Sequence, residues 1–220
     1  MQLPLRTNFQ LRHSTPLDGV PYRKDSWING CPELSPANEV NQLKLQELLI
    51  DELRDIYSAE VQLVHALPNM AKGSSNSELK DLIEAHLDET RGQVDRLKQI
   101  FDDFEEKPAG EQCKGMQGII AEGDEQLQKK GDEAGDLAII GACVRVEHYE
   151  MAAYANAITL ARALGKGDAV NLLDETLTEE KEAGKNLMAA ITPILEQARK
   201  NETNREAQSG QRTHAAKAGK

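Results

Sequence analysis

The sequence predicts an all-α fold, an antiparallel four-helix bundle, from its composition and from the spacing of its apolar residues. Only 4% of the 220 residues are aromatic and 39% are hydrophobic. The central part is rich in Leu, Ala, Glu, Lys and Gln, which favour helices, and it lacks the alternating β-branched residues of strands. Its apolar residues recur every three or four positions, which is the period of an amphipathic helix.

The chain divides into three segments by composition. Residues 1–41 contain five prolines and no sustained apolar period, so we expect an extended or disordered arm. Residues 42–200 carry the helical periodicity and should form the bundle. Residues 201–220 have no apolar anchor, and we predict a disordered C-terminal tail.

Turn residues separate four long helices within the bundle segment. We predict these helices at about residues 42–71, 78–104, 136–164 and 168–200. The stretch between helices two and three contains Pro108 and several glycines, so it should be a long crossover. Within it, residues 116–129 have the pattern of a short extra amphipathic helix.

Charge and cysteine usage limit the classes of function. The net charge is −11, and residues 41–200 carry −13 of it because the first 40 residues are neutral and the last 20 carry +2. Such a body should repel nucleic acid and anionic membranes and attract cations. The three cysteines are far apart, and there is no signal-like or 18-residue apolar run, so we expect a cytoplasmic protein with no membrane span.

Helix three places carboxylates on its inward face. Glu147 lies in the predicted apolar stripe, and Glu150 lies one turn further on the same side. An ionised carboxylate in an apolar interior costs several kcal/mol unless a cation or a hydrogen-bonding partner compensates it. The alternative is that these acids lie at a boundary and reach solvent or a nearby arginine.

The other helices offer acids at matching depths. Counted from the tight turn between helices one and two, Glu60 and Glu89 are level. Counted from the second tight turn, Glu150 is level with Glu182, and Glu179 lies less than one turn away. A weak internal repeat overlays residues 87–97 on 177–187 and favours Glu179 over its neighbour Glu180. His86 lies one turn before Glu89 and could be a ligand or a supporting residue.

Four helices that each send an acid inward at one depth are typical of di-iron and di-manganese carboxylate sites. The sequence therefore predicts a site for two iron or manganese ions, and the choice between Glu147 and Glu150 stays open. The usual histidine three residues after the glutamate is missing from both helices that should carry it. The candidate ligands are Glu60, His86, Glu89, Glu147, Glu150 and Glu179.

Four motifs, one on each predicted helix, resemble a known family. They are Asp55-Ile-Tyr-Ser-Ala-Glu60, His86-Leu-Asp-Glu-Thr-Arg-Gly-Gln93, Val146-Glu-His-Tyr-Glu150 with Tyr154, and Glu175-x-x-x-Glu179-Glu-Lys181. In this order they resemble the bacterial YciE/YciF proteins, a ferritin-like group associated with stress responses, over about residues 42–198. The resemblance implies a ferritin-like bundle, a homodimer and a di-metal centre.

Two functional hypotheses follow. The first is a ferritin-like, stress-associated metal protein that handles metal, oxygen or peroxide, with no catalytic residue yet assigned. The second is a non-enzymatic helical stress protein that acts by dimerisation or partner binding, with the acids as a hydrogen-bonded remnant of a metal site. Binding of nucleic acid through the tail is disfavoured by the charge of the body.

Overall fold

Helices make up nearly all of the chain that the structure describes. The computed structural model describes the backbone of residues 36–127 and 132–218 and the side chains of residues 40–127 and 132–204. These residues contain no strand, which confirms the predicted all-α class. The helices are α1 Pro36–Gly73, α2 Ser77–Asp103, α3 Lys114–Leu127, α4 Glu133–Ala163 and α5 Gly167–Ala218.

Side-chain caps begin two of the helices, and a glycine ends one. Asn76 caps α2 by accepting a hydrogen bond from the backbone N–H of Leu79 at 2.9 Å. Asp132 caps α4 in the same way, accepting from Gly135 at 2.9 Å. After α4 the chain passes through Gly165 with φ +69°, a left-handed conformation that favours glycine. This tight turn places α4 and α5 side by side.

The N-terminal boundary of the bundle differs from the predicted one. Helix α1 begins at Pro36, inside the segment 1–41 that we expect to be an arm. Proline suits the first turn of a helix because its missing N–H needs no partner there. The rest of the predicted arm, residues 1–35, lies outside the described residues.

The C-terminal boundary also needs correction. Helix α5 continues to Ala218, whereas the sequence predicts a disordered tail from residue 201. Residues 201–218 contain no proline, and most of them are good helix formers such as Ala, Gln, Glu and Arg. An existing helix propagates through such residues without an apolar anchor, because only nucleation is costly. Residues 219–220 lie outside the described part.

The four long helices form a square bundle with antiparallel neighbours. Helix α1 packs against α2 and α4, and α5 closes the square by packing against the same two helices. Hydrogen bonds from Tyr154 to Glu60 and from Ser74 to Asp136 show that α4 runs antiparallel to α1. Helix α3 packs on α1 and α4 and lies within the predicted long crossover between α2 and α4. None of the described helices has the length and apolarity that a membrane span requires.

The interior consists of two apolar clusters with polar residues between them. One cluster includes Leu63, Leu79 and Cys143, and the other includes Leu53 and Ile158. Buried polar side chains from all four long helices separate the two clusters, and we call them the polar layer. The polar layer comprises Glu60, His86, Thr90, Gln93, Glu147, Glu150, Thr176 and Glu180.

Candidate metal centre

Four glutamates in the polar layer are almost completely buried. Glu60 on α1 is 0% exposed, Glu147 and Glu150 on α4 are each 1% exposed, and Glu180 on α5 is 0% exposed. We call these four residues the acid cluster. Their burial follows from helix geometry, because each faces the bundle axis at the depth where the two apolar clusters meet.

His86 completes the group from α2. One potential ligand atom each from His86, Glu147, Glu150 and Glu180 lie within 4.8 Å of one another. The Nε2 atom of His86 is 3.5 Å from Oε1 of Glu147 and 3.8 Å from Oε2 of Glu180. Helices α2, α4 and α5 therefore contribute side chains to one small volume, and Glu60 of α1 is buried beside Glu150 in the same polar layer.

Most of the oxygens of the acid cluster face no N–H or O–H donor. Among the described residues, five carboxylate oxygens have no such partner: Oε2 of Glu60, Oε2 of Glu147, both oxygens of Glu150, and Oε2 of Glu180. The Nε2 atom of His86 is also without a hydrogen bond. Buried polar atoms are normally paired, so a concentration of unpaired atoms at one place indicates a missing partner.

A few neighbouring side chains orient the cluster. The hydroxyl of Tyr154 donates to Oε1 of Glu60 at 2.5 Å. The side-chain amide of Gln93 donates to Glu180 and, at 3.1 Å, to Glu179. These bonds hold one oxygen of a carboxylate and leave the other directed into the cluster.

Burial and mutual repulsion raise the pKa of every carboxyl group in the cluster. Burial is the largest cause for Glu60, Glu147, Glu150 and Glu180, and the charges of the neighbouring carboxylates raise the pKa of Glu60, Glu147 and Glu150 further. Burial lowers the pKa of His86, but its hydrogen bond with Glu89 and the charge of Glu180 outweigh burial and raise it. In the absence of a cation, the charged form of each of these carboxyl groups is therefore disfavoured.

Two of the predicted ligands lie at the edge of the bundle. The side chain of Glu89 is 46% exposed, and its Oε2 is 3.3 Å from Nδ1 of His86. The side chain of Glu179 is 25% exposed and forms an ion pair with Arg96. The interior position on α5 belongs to Glu180, the neighbour that the repeat disfavours.

The internal repeat nevertheless has the correct register. Its overlay pairs Glu89 with Glu179, which are both partly exposed, and pairs Thr90 with Glu180, which are both 0% exposed. The mistake lies in taking Glu89 as the inward residue of α2. Adjacent residues on a helix differ by about 100° in direction. Taking Glu89 as inward therefore selects Glu179 on α5, which faces away from the bundle axis, instead of Glu180.

Comparison with known families agrees with this architecture. The family model described as "Domain of unknown function (DUF892)" matches residues 44–200. The chain belongs to this family. The protein YciF of Escherichia coli K12 is 40% identical to this chain over 144 residues, which are 64% of this chain and 87% of that protein. The resemblance to the YciE/YciF proteins is therefore confirmed.

Solved structures place the DUF892 fold among ferritin-like bundles. The crystal structure of YciF, described as an E. coli stress protein, is 38% identical and has a TM-score of 0.67, covering 69% of this chain and 97% of that one. A dodecameric thioferritin from Bacteroides fragilis is 18% identical with a TM-score of 0.55, covering 75% of this chain and 98% of that one. The second similarity shows the fold alone, and the predicted ferritin-like fold is confirmed.

Proposed function

We propose that this protein is a stress-associated, ferritin-like metal protein that binds two divalent cations, iron or manganese, in the acid cluster. The observation that carries the proposal is the set of five buried carboxylate oxygens without a donor. Within the described residues, no lysine or arginine forms an ion pair with Glu60, Glu147, Glu150 or Glu180. Two divalent cations would balance four ionised carboxylates.

The donor set suits hard cations. Glu60, Glu147, Glu150 and Glu180 offer carboxylate oxygens, and His86 offers one imidazole nitrogen. Oxygen-rich sites with a single imidazole suit Fe²⁺ and Mn²⁺, whereas the thiolate ligands of zinc or copper sites are missing from the described cluster. Bound iron or manganese would supply redox chemistry toward oxygen or peroxide.

The surrounding side chains have definable roles. Nδ1 of His86 lies 3.3 Å from Glu89 and would donate its N–H there when Nε2, which is directed toward Glu147, binds a cation. Tyr154 and Gln93 fix Glu60 and Glu180 through hydrogen bonds. In this assignment Glu89 supports a ligand, and Glu180 takes the ligand position that the sequence assigns to Glu179.

Two adjacent residues on α5 give a matched test. The wild-type protein, Glu180→Gln and Glu179→Gln are each loaded anaerobically with Fe²⁺ or with Mn²⁺, desalted and analysed for metal by mass spectrometry. We expect about two ions per chain for the wild type and for Glu179→Gln, and fewer than about one for Glu180→Gln. Absence of bound metal in the wild type contradicts the proposal, and loss of metal in Glu179→Gln alone would restore Glu179 as the ligand.

Exposed apolar residues near the start of α1 favour a homodimer as the working form. Val40, Leu43 and Leu48 are 50%, 63% and 51% exposed. Sedimentation of the wild type and of Leu43→Glu tests this, with a shift from dimer to monomer expected for the variant. If dimerisation alone is the function, Glu147→Gln with Glu180→Gln will keep both assembly and the stress phenotype.

We also propose a cytoplasmic location, which agrees with the free thiols of Cys113 and Cys143.

A further inference from the structure

A surface opening between α2 and α5 leads to the acid cluster. Glu89 and Glu182 lie at its outer end, where both side chains are exposed, and His86 and Glu147 lie at its inner end. Its walls are formed mainly by apolar side chains from all four long helices, including Leu67, Ile83, Cys143, Ala183 and Leu187. The opening therefore joins an acidic patch of the surface to buried metal-ligating atoms.

The inner end presents unpaired atoms. The side chain of His86 is 7% exposed and that of Glu147 is 1% exposed. The Nε2 atom of His86 and Oε2 of Glu147 have no hydrogen-bond partner among the described residues. A cation that enters the opening thus meets free ligand atoms at its end, which an ordinary surface groove does not offer.

The two acids at the outer end differ in the charge that they can offer. Both carboxylate oxygens of Glu182 are 3.0 Å from Nζ of Lys185, which offsets the charge of Glu182. Within the described residues, Glu89 has no lysine or arginine partner, and its contact is Nδ1 of His86 at 3.3 Å. Glu89 is therefore the principal anionic group at the entrance.

The neighbouring route between α2 and α5 is closed. On the other side of Glu180, Arg96 is bonded to Glu179 and, through its Nε, to Thr176 at 3.0 Å. Gln93 bridges Glu179 and Glu180. These bonds link α2 and α5 on that side of Glu180, whereas the opening beside His86 is lined mainly by apolar side chains.

We infer that this opening is the entry port for hydrated divalent cations, with Glu89 attracting the cation and His86 passing it to Glu147. The imidazole suits that role because its Nε2 faces Glu147, while its Nδ1 is held by Glu89 at the entrance. The inference rests on the proposed function of the acid cluster. It adds that the rate of loading is set at the entrance, by Glu89 and the walls of the opening, before the cation reaches its ligands.

Stopped-flow binding of Co²⁺, followed by its visible absorption, tests the port with a charge-matched pair of variants. Glu89→Gln removes the entrance charge but keeps an amide oxygen for His86. Glu84→Gln makes the same change on the exposed side of α2, where Glu84 pairs with Lys80. We expect the association rate of Glu89→Gln to fall about three- to tenfold at low ionic strength, with a smaller difference at high salt. Glu84→Gln should load at the wild-type rate.

A steric variant tests the path itself. Ala183→Leu places a larger side chain in the wall of the opening. It should slow both the loading of Co²⁺ and its removal by a chelator by similar factors, so that the equilibrium affinity changes little. A folding defect would appear separately in a thermal melt, and Ala85→Leu in the same wall then provides the second narrowing variant.

The outcomes separate the port from the site. If wild-type protein binds no Co²⁺, the proposed function and the port both fail. If it binds Co²⁺ while Glu89→Gln and both narrowing variants load at the wild-type rate, the port alone is wrong. A Glu89→Gln variant that loses stoichiometry makes Glu89 a ligand and also overturns its assignment as an entrance residue.

Discussion

Asp136 and Glu150 are carboxylates on the same helix with almost equal burial, but their surroundings differ completely. Asp136, at 3% exposure, accepts hydrogen bonds from Oγ of Ser74 at 2.9 Å and from the backbone N and Oγ of Ser75 at 2.8 and 2.6 Å. Glu150, at 1% exposure, accepts none from an N–H or O–H donor. A buried acid that serves the fold is thus surrounded by donors, whereas Glu150, which we propose as a metal ligand, is not.

The largest effect should come from removing the charge of the satisfied acid. Asp136→Asn replaces an acceptor of three hydrogen bonds with an amide that cannot accept them all, and it should destabilise the protein by about 3 kcal/mol. Urea unfolding of metal-free protein measures the change. If Asp136→Asn lowers the free energy of unfolding by less than about 1 kcal/mol, Asp136 and Glu150 do not differ as their contacts indicate.

The next largest effect should be the stabilisation of the folded protein by added metal, which depends on the unsatisfied acids. At a free Mn²⁺ concentration about a hundredfold above the dissociation constant, the folded protein should gain about 3 kcal/mol, seen as a higher melting temperature. Glu147→Gln should lose most of this gain because it removes a ligand. Asp136→Asn, although less stable, should keep it, since Asp136 lies outside the acid cluster.

The pH dependence of metal-free stability should be smaller, because the carboxyl groups repel one another and only part of the charge develops. Burial raises the pKa values of the cluster glutamates above 4.5, so their stabilising contribution is complete below that pH and declines as the pH rises through the folded-state values. His86 acts in the same direction because its pKa is raised from 6.5. Denaturant unfolding from pH 5 to 8 measures the decline, and Glu147→Gln with Glu150→Gln should flatten it. An unchanged slope in that double variant would exclude the cluster as the cause.

The smallest effect should come from neutralising the unsatisfied acid itself. In metal-free protein, Glu150→Gln should change the free energy of unfolding by less than about 1 kcal/mol, because no donor loses a partner. The same substitution should abolish the stabilisation by Mn²⁺. Strong destabilisation of the metal-free variant would mean that Glu150 has a donor in solution, which would remove the contrast with Asp136.

The architecture follows from the sequence more readily than the ligand set does. Apolar positions such as Leu53 and Leu63 recur over several turns, so the period of the helices and the depth of Glu60 between them can be derived from spacing. The choice between Glu179 and Glu180 depends on one step of about 100° around a helix. Spacing cannot resolve that step where the inward residues of α2, such as Thr90, are polar themselves.

The contacts of Asp136 could not be derived from spacing either. They depend on the turn after α1 meeting the start of α4, two points 61 residues apart. The prediction that helix α5 ends near residue 200 is wrong for a different reason. Helix propensity and the presence of an apolar anchor are independent properties, and the prediction of a disordered tail from residue 201 used only the second.

The separation of the interior into two apolar clusters has a consequence for cooperativity. Each cluster packs within itself, but in metal-free protein the two meet across a layer of acids that repel one another when they are charged. The two ends of the bundle can then open separately, each with its own free energy of local unfolding. Cations bound by all four long helices would tie the two ends together, so metal loading would turn two hydrogen-exchange units into one.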